Sequence, residues 1–373
     1  MNGCIKRGTR FGAFRSAIMA ASMLGAPLLA GAPALAGTAE VSVFYHGLNN
    51  PRGLKFGPDG NLYVAEGGTG GSNQTSPSDC EQVPGPIGPY SGSDTGSRIS
   101  MIDSHGHIST VADGFPSSQT QPAPAPLVSG VADIAFVGDT LYAIEAGAGC
   151  SHGVPSIPNS VYRVNRASHT ATPIANLSAF QQAHPVAHIE PGDFEPDGTW
   201  YSMIAVRGNL YAVEPNHGEI DRITTTGQIS RVIDISASQD HVVPTALAYH
   251  GNFFVGNLST FGPGFAPSNV WKVTPSGQIK LDTEGFRMVV GLVFDHFDQM
   301  YVLELAAGPF PAPLTGKITR VRPDGEKETV ADGLNFPTAM TYGPDGNLYV
   351  SNNGIGAPGD GEVLKVDIAN WNP

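Results

Sequence analysis

Short apolar runs, each followed by a polar turn and a second apolar run, recur along residues 41–368, and within the runs the period is two. The pattern is plainest late in the chain. Gly291-Leu292-Val293-Phe294 leads through a turn to Met300-Tyr301-Val302-Leu303, and Lys317-Ile318-Thr319-Arg320-Val321 alternates as a half-buried strand. Pro323-Asp324-Gly325 then turns the chain into Glu328-Thr329-Val330. The same third-strand, turn, fourth-strand order returns over residues 98–111, 220–233 and 270–281, and helical periodicity is nowhere sustained.

The unit repeats. Residues 57–64 and 343–350 are the same eight, GPDGNLYV, and degenerate copies follow from the Leu-Tyr anchor: Leu62-Tyr63, Leu141-Tyr142, Leu210-Tyr211, Phe253-Phe254, Met300-Tyr301 and Leu348-Tyr349. Their spacings are 79, 69, 43, 47 and 48 residues. The last three match a four-stranded propeller blade of roughly 40–50 residues, and the first two require insertions. The expected fold is all-β, a six-bladed β-propeller.

The sixth unit stops after its third strand, residues 362–368, one strand short. Val41-Ser42-Val43-Phe44-Tyr45, followed by Gly47-Leu48-Asn49-Asn50-Pro51, parallels Glu328 to Asp332, followed by Gly333-Leu334-Asn335-Phe336-Pro337. The N-terminal strand is therefore expected to complete the last blade and close the ring, which removes exposed strand edges. Residues 37–373 read as one domain.

Composition agrees with a turn-rich β protein: charged residues are 14% of the 373, and 47 Gly and 31 Pro make up about a fifth. Residues 1–36 read as a secretory signal, with Lys6, Arg7, Arg10 and Arg15 before the apolar run 17–30 and Ala34-Leu35-Ala36 at the cleavage site. The run is too short for a bilayer span and contains Pro27, so no membrane anchor is expected after cleavage. The expected address is the periplasm or the exterior. Cleavage removes four positive charges and no negative one, taking the net charge from −13 to −17. So acidic a chain is a poor partner for nucleic acid or anionic lipid. Cys4 leaves with the signal, and Cys80 and Cys150, in the second-to-third-strand loops of adjacent blades, are expected to pair in an oxidising compartment.

The blade grammar in NPRGLKFGPDGNLYVAE, residues 50–66, resembles TolB-like and NHL-type propellers. The opening VSVFYHGLNNPRGL, and residues 193–223, DFEPDGTWYSMIAVRGNLYAVEPNHGEIDRI, resemble the secreted ScyD/ScyE family over essentially the whole mature chain. The resemblance implies the fold and carries no settled catalytic role. The family's Asn-Pro-Tyr before the third inner strand stands here as Thr199-Trp200-Tyr201, so only Tyr201 carries over. Metal-dependent lactonases of this architecture are similar in hairpin grammar, and quinone-dependent sugar dehydrogenases resemble the Pro-Arg-Gly-Leu segment containing Arg52.

In such a propeller the start of each inner strand and the end of each second strand share one face. The long connections fall there: residues 67–97, 146–160 and 178–199, with shorter ones at 259–269, 306–316 and 353–361, whereas the opposite turns are tight. Ligand-binding candidates are Arg52 at the mouth, Asp133 one residue beyond the mouth position of its unit, Tyr201 as the residue the family resemblance carries over, and the rim carboxylates Glu66, Glu145, Glu214 and Glu304. Asn257 and Asn352 take the rim position in the remaining blades. Repetition favours a structural role for this rim, tying backbone, over a cation site. The mouth positions read Arg52, Ala132, Ser202, Thr245, Val290 and Thr338, without the carboxylates and amides of a lactonase metal site.

His184, His188, Glu190, Asp193, Glu195 and Asp197 cluster, but Pro185, Pro191 and Pro196 break the helix a His-x3-His metal site would need, so a solvated acidic loop is expected. Residues 117–126, rich in Ser and Pro, read as a mobile loop. The resulting expectation is a secreted module whose loop-rich face binds a small molecule, glycan or protein, with no assigned cofactor or catalytic residue. The alternative is an enzyme on the same face, a quinone-linked sugar oxidoreductase or a metal-assisted hydrolase.

Overall fold

The computed structural model describes residues 37–85, 87–120, 126–258 and 267–371. The expected signal segment therefore lies outside the described residues, as do most of the 259–269 connection and residues 121–125. Six antiparallel sheets form the blades, numbered here in chain order from the inner strands Pro51–Phe56, Val131–Val137, Met203–Val206, Pro244–His250, Val289–Phe294 and Ala339–Tyr342. Each inner strand touches the next, and that of blade 6 touches that of blade 1, so the ring is closed.

Closure is made as expected. Glu40–Leu48 pairs antiparallel with Gly361–Asp367, from Glu40 opposite Asp367 to Leu48 opposite Gly361, as the outer strand of blade 6. Leu48 is fully buried, and Phe44 meets Tyr349 edge-on with ring centroids 5.1 Å apart.

The period-two pattern works because each blade is apolar on both faces and packs against two neighbours. Tyr63, Ala65, Ile99, Ile134 and Leu141 fill the space between blades 1 and 2, and Leu48, Leu54, Val64, Tyr349 and Val363 that between blades 6 and 1. The repeated GPDGNLY has a local cause. Asp59 accepts from the Tyr63 hydroxyl at 2.7 Å, and Asp345 from Tyr349 at 3.1 Å. The tyrosine ring crosses the first glycine of the turn so closely that a Cβ on Gly57 or Gly343 would lie 2.6 Å from it.

Two expectations change in blade 1. Its third strand, Ser91–Ile102, starts within the expected 67–97 connection, and its fourth, Ile108–Gln119, runs into the segment read as a mobile loop. Ser117 and Ser118 are fully buried. Composition suggested a loop, but Ser117 Oγ accepts from Gly70 N at 2.9 Å and donates to Gly67 O at 2.6 Å, so its polarity is satisfied inside the fold. Val128–Ser129 adds a fifth strand to this blade. The two-turn helix before blade 3, Leu177–Ala183, is capped by Asn176, whose side chain accepts from Ala179 N at 2.8 Å.

Candidate functional site at the axial mouth

The connections of the loop-rich face converge on a cavity of about 210 Å³ over the axis. All six blades reach it through Arg52, Ala132, Tyr201, Thr245, Val290 and Thr338. Ile87 and Tyr90, Phe194 and Glu195, Phe310, and Ile355 close over it from the long connections. In blade 3 the mouth position is Tyr201 rather than the expected Ser202. The Ser202 hydroxyl is turned aside to donate to Thr245 O at 2.5 Å, across to blade 4.

That diversion is general and explains why the cavity is mainly apolar. Thr245 Oγ1 donates to Val289 O of blade 5, and Thr338 Oγ1 to Pro51 O of blade 1 at 2.6 Å. Tyr201 donates across the mouth to Thr338 O at 2.9 Å. Hydroxyls that look available in the sequence are consumed in stitching blades together. Asp133 does the same: buried, it accepts from Ile134 N and, in blade 3, from Met203 N, both at 2.8 Å, and burial raises its pKa.

Arg52 is the cation of the cavity wall. Its guanidinium donates to Gly354 O at 2.9 Å and to Val128 O, bracing the blade 6 and blade 1 connections. Burial lowers its pKa from the ordinary guanidinium range, opposed by the nearby Tyr201.

The rim residues lie beneath the cavity rather than on its wall. Glu66, Glu145 and Glu214 are completely buried and Glu304 nearly so. Each holds backbone. Glu66 accepts from Asn49 N at 2.7 Å, Glu214 from Thr199 N at 2.7 Å, Glu304 from Arg287 N at 2.8 Å and Asn352 from Asn335 N at 2.9 Å, in each case the chain just before the same blade's inner strand. Glu145 instead takes Gly147 N at 2.7 Å, and Asn257 takes Asn269 N at 2.7 Å. Partners differ in strength. Glu66 also receives Arg98 Nε at 2.7 Å and Ser100 Oγ at 2.5 Å, whereas Glu145 Oε2 is buried without a hydrogen bond and burial pushes that carboxyl up to about 8. Beside Glu214, burial works against a charge on His217, but the carboxylate 3.1 Å away raises its pKa to about 9.

The wall under blades 1 to 3 contains a buried polar chain that sequence reasoning missed. Ser118 Oγ lies 2.9 Å from His152 Nδ1, His152 Nε2 lies 3.1 Å from Glu195 Oε2, and Tyr90 donates to Glu195 Oε1 at 2.9 Å while stacking on His152. Burial, and then Glu195, raises the pKa of Tyr90. The expected solvated acidic loop is thus only partly solvated: His188 is exposed, but Glu195 and Asp197 are buried, the latter accepting from Ser151 N at 2.9 Å and Ser151 Oγ at 2.7 Å. No local pattern marks these residues, because their partners are about 30 to 100 positions away. The cysteines were legible. Cys80 and Cys150 form a disulfide, Cα atoms 6.2 Å apart, joining the insertions of blades 1 and 2.

The donor set at the mouth does not fit a divalent metal: the lining carboxylate, Glu195, has both oxygens engaged and the neighbouring cation is Arg52. Among the described lining residues none is a histidine.

Fold and cavity together define a six-bladed β-propeller with an axial pocket on its loop-bearing face. No protein-family profile and no curated protein sequence matches the chain. Solved structures share the fold. A putative oxidoreductase (glucose dehydrogenase) of Thermus thermophilus has TM-score 0.56 at 18% identity, over 88% of this chain and 99% of that one. The calcium-binding protein regucalcin of Agrobacterium tumefaciens has 0.53 at 13%, over 89% and 94%. A gluconolactonase of Xanthomonas campestris has 0.52 at 11%, over 89% and 91%. At these identities the likeness is one of architecture.

Proposed function

We propose that this protein is a secreted binding protein that holds a small, largely apolar molecule in the axial pocket, with an acceptor group of the ligand turned to Arg52. One observation carries the reading: Tyr90, Glu195, Tyr201, Thr245 and Thr338 are committed to the protein itself, which leaves a largely apolar surface of Ile87, Phe194, Val290, Phe310 and Ile355 beside one guanidinium. Such a surface gains affinity by desolvating apolar area and orients its ligand through a single charge-assisted bond. Export is supported by the basic, then apolar, segment 1–36 and by the disulfide, which persists in oxidising compartments. Among the described residues no helix is long and apolar enough to cross a membrane. The ScyD/ScyE resemblance points the same way.

An enzyme on this face is the second reading, favoured by Arg52 in its quinone-linked form and by the presence of an oxidoreductase and a lactonase among the similar folds. Titration with the anionic aromatic probe anilinonaphthalene sulfonate, followed by its own fluorescence and by Trp200 in the pocket wall, separates the readings. Binding that Ala132→Trp abolishes and Arg52→Gln weakens about tenfold, or about 1.4 kcal/mol, supports the binding protein. Probe binding indifferent to Ala132→Trp overturns it, and turnover of a sugar with a reducible quinone supports the enzyme.

A further inference from the structure

Outside the axial pocket, three side chains from two distant segments converge. The tight turn Glu190-Pro191-Gly192-Asp193 closes with Asp193 N donating to Glu190 O at 3.0 Å and Glu190 N to Asp193 Oδ2 at 2.9 Å. Asn216 holds it from blade 3, donating to Gly192 O at 2.9 Å and accepting from Glu195 N at 2.7 Å. His241, from the connection into blade 4, lies against Gly192, where a Cβ would come within 2.7 Å of its Nε2. Its Nδ1 is thereby set 3.0 Å from Glu190 Oε2 and 3.4 Å from Asp193 Oδ1.

One imidazole nitrogen facing two carboxylates leaves the site under-coordinated. Asp193 Oδ1 is buried, its side chain 1% exposed, with no hydrogen-bond partner of normal geometry. A buried carboxylate oxygen in that state is costly unless something positive completes it. The three donor atoms all lie within 4.8 Å of one another, a spread that a single ion at about 2.0–2.2 Å from each could draw together. His188 Nε2, exposed and 3.8 Å from Glu190 Oε1, is near enough to serve as a fourth ligand.

We propose that Glu190, Asp193 and His241 form a binding site for a first-row divalent cation of the zinc class. The mixed nitrogen and oxygen donors argue for zinc over calcium, which takes about six to eight oxygens. The ion clamps the segment before blade 3 to the segment before blade 4. Both feed the axial wall, through Phe194 and Glu195 on one side and Val243 on the other. The site is separate from the pocket and stands whether or not the pocket reading does.

The test uses the tag-free protein, stripped with a chelator and titrated with zinc chloride by calorimetry and thermal melting. The expected result is one saturable ion per chain and a raised melting temperature, with affinity at least about tenfold weaker in Glu190→Gln and in His241→Gln. The exposed group Asp103, His105 and His107 is the rival, and a His105→Asn/His107→Asn variant is expected to keep the tight ion. Zinc uptake lost in that variant, unchanged in Glu190→Gln and His241→Gln, or absent from the wild type overturns the proposal. Glu190 is partly exposed, so Glu190→Gln tests the site even if Asp193→Asn fails to fold.

Discussion

Between successive repeat anchors, blades 1 and 2 and the approach to blade 3 take 79 and 69 residues, whereas blades 3, 4 and 5 take 43, 47 and 48. The two regions are held differently. In blades 4 to 6 apolar side chains interlock across blade faces, as Val289, Leu292 and Val302 of blade 5 do with Ala246 and Phe254 of blade 4. The extra chain of blades 1 and 2 instead carries covalent and polar ties: the Cys80–Cys150 disulfide, the Ser118–His152–Glu195–Tyr90 chain, and Asp197 on Ser151. A blade face can be completed by any apolar residue of suitable size, but an insertion with little apolar surface needs specific partners to be ordered at all. The specific partners also shape the pocket wall, so the contacts that order the insertions also set the form of the cavity.

The largest expected effect lies in the regular region. Deleting residues 37–45 strips most of the strand paired with Gly361–Asp367, exposing its edge and the apolar face of blade 6. Melting should fall by more than about 10 °C, or the chain should fail to fold, given a scale of several °C per kcal/mol. Circular dichroism of the shortened protein checks this, and a melt like that of the whole chain would break the account of closure.

Replacing Cys80 and Cys150 by Ser probes the inserted region. The cysteines are 70 residues apart, and on the chain-entropy account such a link stabilises by about 4 kcal/mol. Denaturant unfolding should show a loss of that order, and binding of the aromatic probe should loosen while the propeller still forms. Thiol labelling of denatured, unreduced protein should find neither cysteine free.

Two rim glutamates sharpen the comparison within one structural position. Glu66→Gln replaces a buried carboxylate that Arg98 and Asn49 need, and should cost about 2–3 kcal/mol in chemical denaturation without any dependence on added calcium. Glu145→Gln should cost less than about 1 kcal/mol at about pH 5, because burial already keeps that carboxyl protonated to about 8. The sign follows from the raised pKa: against an ordinary 4.5, the protonated folded form contributes fully below that value and its contribution is lost as pH rises towards 8. Relative to wild type, Glu145→Gln should therefore gain stability across that window and level off above it. A flat difference between about pH 5 and 9 would mean Glu145 ionises normally.

Much of the regular region was legible from the residues. GPDGNLYV repeats because each of its features is local: an Asp for the tyrosine hydroxyl, a glycine under the ring, a glycine at positive φ to finish the turn. Ring closure was legible for the same reason, as the outer strand of blade 6 leads into the same Gly-Leu-Asn-x-Pro as the outer strand of blade 5. The pocket was harder to read. Arg52 was legible at the mouth, but Ser202 was read there in place of Tyr201, and Ser202, Thr245 and Thr338, which seemed available, are spent on neighbouring blades.

What the chain determined by itself was the number of blades, their order, the closing strand and the disulfide, since alternation and turn chemistry act over a few residues and Cys80 and Cys150 fall in corresponding loops of adjacent blades. Only the tertiary structure decided that Ser117 and Ser118 are strand rather than loop, that Glu195 is buried against His152, and that His241 rather than His184 meets Glu190 and Asp193. The energy of a buried polar group depends on whether a partner reaches it, and these partners arrive from other blades, at separations over which sequence pattern carries no signal.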